Sequence, residues 1–167
     1  FRQMLEGLVA LHAEKIVHRD IKCANVFLSS GGGVKLGDLN VSKIAKQGIM
    51  QTQTGTPYYC PPEVWSDKPY TAKCDMWSLG CVIYELTTLK PQLLANNMKE
   101  RYTKVTKGKY PDIPKHFSQD LSKMISYCLN VNPQARPSPC ELLAMPAFNG
   151  GKVMTEPPKL LHRRSNS

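Results

Sequence analysis

The octet His18-Arg19-Asp20-Ile21-Lys22-Cys23-Ala24-Asn25 places a carboxylate, an ammonium and a carboxamide at the spacing that phosphoryl transfer to a hydroxyl requires. A lone aspartate flanked by basic residues is more often a solvated loop, so the octet alone decides little. Thirteen positions after Asn25 stands a second carboxylate, Asp38, in Asp38-Leu39-Asn40. It follows the apolar run Val34-Lys35-Leu36, which reads as a short strand. Two further motifs come after it in order: Gly55-Thr56-Pro57-Tyr58-Tyr59-Cys60-Pro61-Pro62-Glu63, then Asp75-Met76-Trp77-Ser78-Leu79-Gly80.

Four motifs in this order and at this spacing resemble the protein kinases. The octet is similar to the kinase catalytic loop, Asp38-Leu39-Asn40 to the magnesium-binding Asp-Phe-Gly, the third motif to the end of the activation segment, and the fourth to the start of the helix beneath the active site. The resemblance implies that Asp20 orients the substrate hydroxyl and accepts its proton. Lys22 would neutralise charge on the migrating phosphoryl group, where transition-state electrostatics dominate. A lysine at that position resembles serine/threonine rather than tyrosine kinases. Asn25 and Asp38 would bind Mg2+, Asp38 bridging the phosphates of ATP, and Phe27 would lie beneath the adenine ring.

The same likeness makes Thr52, three positions before Gly55, the expected phosphosite of the activation loop. A phosphate there carries about −1.5 to −2 charges and would pair with Arg19 and Lys43. Thr56 is expected to contact Asp20 and Lys22 and to shape the substrate platform. Glu63 and Arg136 are expected to form a buried ion pair. His18 is expected to pack in the core beside Leu39, and Asp75 to hold the backbone near His18 and Arg19. Asn40 stands where the family has glycine; asparagine tolerates positive φ at comparatively small cost. His12, His116 and His162 lack metal-ligand spacing and read as unremarkable.

Positioning these groups falls to a chain of 167 residues, one domain's length, with 41% hydrophobic residues to build its core. Six scattered cysteines without a Cys-x-x-Cys pair argue against disulfides and zinc, and no apolar run is long enough to span a bilayer. A reduced cytoplasmic or nuclear setting is expected. The net charge of +9 comes from residues spread along the chain rather than striped on one face, so nucleic-acid binding is not expected. Attraction to acidic partners or ATP is the milder inference.

Phe1, Met4, Leu5, Leu8, Val9 and His12 recur at helical spacing. Val26-Phe27-Leu28 and Val34-Lys35-Leu36, joined by Ser29-Ser30-Gly31-Gly32-Gly33, predict a hairpin with a permissive glycine turn. From Cys74 to Leu89 the chain is apolar nearly all round, Leu86 included, as in a buried helix. Ser118 can cap a helix whose Leu121, Met124, Ile125, Cys128 and Leu129 form one stripe. Ser138-Pro139-Cys140-Glu141 reads as a capping box with proline at the first helical position. Past Phe148 the pattern stops, and 149–167 reads as a disordered basic tail.

The expected fold is therefore α+β and protein-kinase-like: a mainly helical C-terminal lobe with a short β-hairpin over residues 1–148. No segment resembles the family's glycine-rich loop, strand lysine or helix glutamate, so the chain is expected to be an N-terminally truncated fragment, inactive by itself. Asp38-Leu39, Thr54-Gly55-Thr56-Pro57-Tyr58-Tyr59, Leu89-Lys90-Pro91 and Ala95-Asn96-Asn97-Met98 together resemble the NIMA-related serine/threonine kinases. That likeness implies ATP and Mg2+ as cofactors, protein substrates, and an upstream kinase or cytoskeletal protein as further partners. It also implies a cytoplasmic, centrosomal or ciliary location. The competing expectation is a noncatalytic pseudokinase or docking module.

Overall fold

A computed structural model describes residues 1–39, 58–69, 71–92 and 94–150. Asn40, Lys43, Thr52, Thr56 and residues 151–167 lie outside the described residues.

Helix α1 spans Arg2–Ala13 and buries Met4, Leu5, Leu8 and Val9, the stripe expected from their spacing. A 3-10 turn, Cys23–Asn25, leads into β1 (Val26–Leu28), which pairs antiparallel with β2 (Val34–Leu36) in the register Val26 with Leu36. Gly32 closes the turn at φ +75°, a backbone region where glycine alone carries no side-chain strain. The hairpin lies against α1 through β2.

Helix α2 (Pro62–Trp65) packs on α4 (Met98–Lys107), while α3 (Lys73–Thr88) packs on α5 (Gln119–Cys128). Every residue of α3 from Cys74 to Tyr84 is buried, which makes it the post of the domain. The expectation for Leu86 was different from what is seen: it is 56% exposed, because the last turn of α3 emerges from the core before Leu89 ends it in a left-handed conformation at φ 55°. Ser118 caps α5 by accepting from the Leu121 N–H, and the apolar stripe of α5 faces α3. Helix α6 (Pro139–Leu143) opens on the full capping box, with the Ser138 and Glu141 side chains each accepting from the other's backbone N–H. It packs against α1. Asn149, expected in the tail, instead donates through its amide to the carbonyls of Leu143 and Met145.

Gly80 lets α3 and α5 approach closely. A Cβ there would lie 2.7 Å from Cys128 Cβ and 2.9 Å from Leu129 Cδ2. Alanine gains up to about 1 kcal/mol of helix propensity over glycine, but overpacking a tight core costs about 1–3 kcal/mol. Gly80→Ala is expected to lower the denaturation midpoint; a raised midpoint would show that the contact relaxes freely.

Candidate active site

The backbone at the start of the His18–Asn25 segment hangs from one buried carboxylate. Asp75, in the first turn of α3 and 1% exposed, accepts from the His18 N–H through Oδ2 and from the Arg19 N–H through Oδ1, both at 2.9 Å. Arg19 sits at φ 66°, a conformation uncommon outside glycine, and the bond from its N–H helps hold it there. His12, read from sequence as unremarkable, completes this anchor: its Nε2 lies 2.8 Å from Asp75 Oδ2. The signal was present in its place on the buried stripe of α1, but its partner lies 63 residues away. His18 is buried, with Nδ1 accepting from the Asp20 N–H at 3.4 Å and Nε2 within 3.1 Å of the Gly37 carbonyl. A tautomer protonated at Nε2 satisfies both bonds. Leu39, its expected neighbour, is 42% exposed.

Asp75→Asn keeps the shape but leaves one oxygen where two served four groups, His12, the His18 and Arg19 N–H and the Cys74 thiol. At least one N–H then loses its acceptor, which costs about 1–3 kcal/mol for a buried group. Urea denaturation is expected to show this loss; an unchanged midpoint would remove Asp75 from the account of loop geometry.

Three of the expected site residues meet on one carboxylate. Lys22 Nζ lies 2.9 Å from Asp20 Oδ2, and Asn25 Nδ2 donates to that oxygen at 3.1 Å and to the Asp20 carbonyl at 2.8 Å. Among the described residues nothing donates to Asp20 Oδ1. The Asn25 amide nitrogen is committed, so its oxygen is the atom left for a cation. Gly37 N–H bonds to the Asn25 carbonyl at 2.9 Å, which brings Asp38, the next residue, beside Asn25. Asp38 is at φ 57°, a region aspartate tolerates better than most residues. A carboxylate and an amide oxygen are hard ligands and suit Mg2+, which keeps several waters and takes few protein ligands.

Phe27 is 55% exposed, with its ring over Gly37, where a Cβ would come within 2.5 Å of Cε2. Leu28 beside it is 80% exposed. The Phe27 ring thus offers an exposed apolar surface at Gly37, the residue before Asp38. Of the expected phosphate pocket only Arg19 is described.

Below the catalytic loop, Arg136 and Glu63 meet in a two-pronged pair, Nη1 to Oε1 and Nη2 to Oε2, each 2.7 Å. Tyr59 donates its hydroxyl to Glu85 at 2.7 Å, and burial together with that carboxylate pushes the phenol well above its ordinary range. Ser78 donates to the Tyr59 carbonyl, tying this segment to α3.

The sequence matches the protein kinase domain over residues 1–148. The chain belongs to the protein kinase family. The kinase domain is similar to the probable serine/threonine-protein kinase nek3 of Dictyostelium discoideum, 43% identical over 155 residues, which covers 89% of this chain and 14% of the relative. It is similar to mouse serine/threonine-protein kinase Nek5, 42% identical over 170 residues, covering all of this chain and 27% of that protein. Mouse Nek1 is 43% identical over 140 residues, 83% of this chain and 12% of Nek1. The chain thus spans well under a third of each of these relatives. Their names agree with the resemblance to NIMA-related kinases drawn from the motifs. The kinase domain's order of elements, helix, hairpin, buried helix and further helices, is the one the motifs implied. Among the described residues no helix is long and apolar enough to cross a membrane.

Proposed function

We propose that this domain provides the catalytic loop and magnesium ligands of a protein serine/threonine kinase of the NIMA-related type, acting within a polypeptide that also supplies a phosphate-gripping lobe. The meeting of Lys22 and Asn25 on Asp20 Oδ2 carries the reading. That arrangement fixes the carboxylate and leaves Oδ1 to take a proton. In the reaction the oxygen of a substrate serine or threonine bonds to the γ-phosphorus of ATP, the bond from that phosphorus to the bridging oxygen of ADP breaks, and the hydroxyl proton passes to Asp20. Lys22 stabilises charge on the transferring group. Mg2+, held by Asn25 and Asp38, would neutralise the phosphate oxygens. Phe27 provides an apolar surface for the adenine ring.

Thr52 is proposed as the activating phosphosite, with Arg19 and Lys43 as its cationic pocket and an upstream kinase as its source. Thr56 is proposed to contact Asp20 and Lys22. We further propose a cytoplasmic location, at centrosomes or cilia, and cytoskeletal partners, on the strength of the NIMA-related resemblance alone. Transfer of γ-phosphate to a protein substrate tests these roles: Thr52→Ala should lower it and Thr56→Ala should nearly abolish it. Equal and mild effects would refute the assignment of the two threonines. No transfer by the unsubstituted protein would favour a noncatalytic docking domain.

A further inference from the structure

A cleft of about 660 Å³ lies away from the catalytic loop, between the last turn of α3, the C-terminal half of α4 and residues 109–114. Its volume falls within the range of ordinary ligand sites. Tyr84 and Tyr110 stand in its wall, edge to face with ring centroids 5.6 Å apart, and Pro91, Pro111 and Pro114 add apolar surface. Gln92 also lines it and is 4% exposed. The Gln92 side-chain oxygen accepts from the Cys81 thiol at 3.0 Å, and its buried Nε2 has no partner among the described residues.

The charges around it have one sign in excess. Lys90, Lys104 and Lys109 line the cleft against a single carboxylate, Asp112. Lys104 is engaged by Glu100 at 2.7 Å and by the Leu94 carbonyl. Lys90 and Lys109 are exposed and pair with no carboxylate among the described residues. Burial pushes the Tyr110 hydroxyl up to about 12, so it stays a donor near neutral pH.

We propose that this cleft docks an acidic peptide segment of a partner protein. Its glutamate or aspartate carboxylates face Lys90 and Lys109, and an apolar residue packs on the half-buried Tyr110 and the neighbouring prolines. The chain's own C-terminal residues do not suit the cleft, because 151–167 carry Lys152, Lys159, Arg163 and Arg164 against Glu156 alone. The docking goes beyond the kinase reading, since it needs neither ATP nor the catalytic loop.

Fluorescence anisotropy tests it, with a fluorescein-labelled peptide of alternating glutamate and leucine and a second peptide in which lysine replaces glutamate. The acidic peptide should bind the full chain more tightly than the basic one. The double variant Lys90→Glu/Lys109→Glu should weaken the acidic peptide by about tenfold or more. Its thermal midpoint should be unchanged, because both side chains are exposed. Equal binding of the two peptides, no response to the charge reversal, or equal displacement by millimolar inorganic phosphate would each overturn the proposal.

Discussion

Arg136→Met is expected to destabilise the domain by about 3–5 kcal/mol, a large share of the roughly 5–15 kcal/mol that holds such a domain together. The guanidinium has five N–H donors, and the structure gives five acceptors: Glu63 Oε1 and Oε2, and the carbonyls of Asn130, Lys73 and Val131. Its plane also lies over Trp77, 5.1 Å from the ring. Both charged side chains are almost wholly buried, at 0% and 4% exposure. Removing Arg136 therefore strands the Glu63 carboxylate without water or a counter-ion, and that stranding dominates the cost. Often a buried pair can be exchanged for two apolar residues with little loss. Here the double variant Glu63→Leu/Arg136→Met should recover only part, because the three carbonyls lose their donor in either case. Chemical denaturation of the two variants checks both statements. Full recovery in the double variant would show that the carbonyls find water.

Asp20→Asn is expected to lower phosphate transfer by about two to four orders of magnitude in a polypeptide with a complete ATP site, the usual range for a positioned acid or base. The variant keeps an oxygen and the side-chain volume, so the fold should persist. It removes the charge that holds Lys22 Nζ at 2.9 Å and the basicity that takes the hydroxyl proton. Steady-state kinetics should show the loss in kcat, with KM for ATP little changed, because Asn25 and Asp38 are untouched. A large rise in KM with kcat preserved would mean that Asp20 serves nucleotide binding instead.

The meeting of Lys22 and Asn25 on Asp20 was legible because the groups are contiguous: a carboxylate, an ammonium and an amide within one octet need only a short turn to meet. Asp75 and the Glu63–Arg136 pair were legible through the family resemblance, which supplies partners far apart in sequence. His12 escaped because a helical stripe position is usually filled for packing, and nothing local marks one that reaches a buried carboxylate. The positive φ of Arg19 escaped as well, since sequence rules expect glycine, asparagine or aspartate there. Leu86 misled because a continuous apolar run does not reveal where a helix leaves the core.

The most direct test of the central claim is incubation of the protein that carries this chain with γ-labelled ATP and a serine- and threonine-containing protein substrate, followed by phosphoamino-acid analysis. The account predicts label on serine or threonine that requires Mg2+ and disappears in Asp20→Asn. Label confined to tyrosine, or incorporation no greater than that of Asp20→Asn, would contradict it.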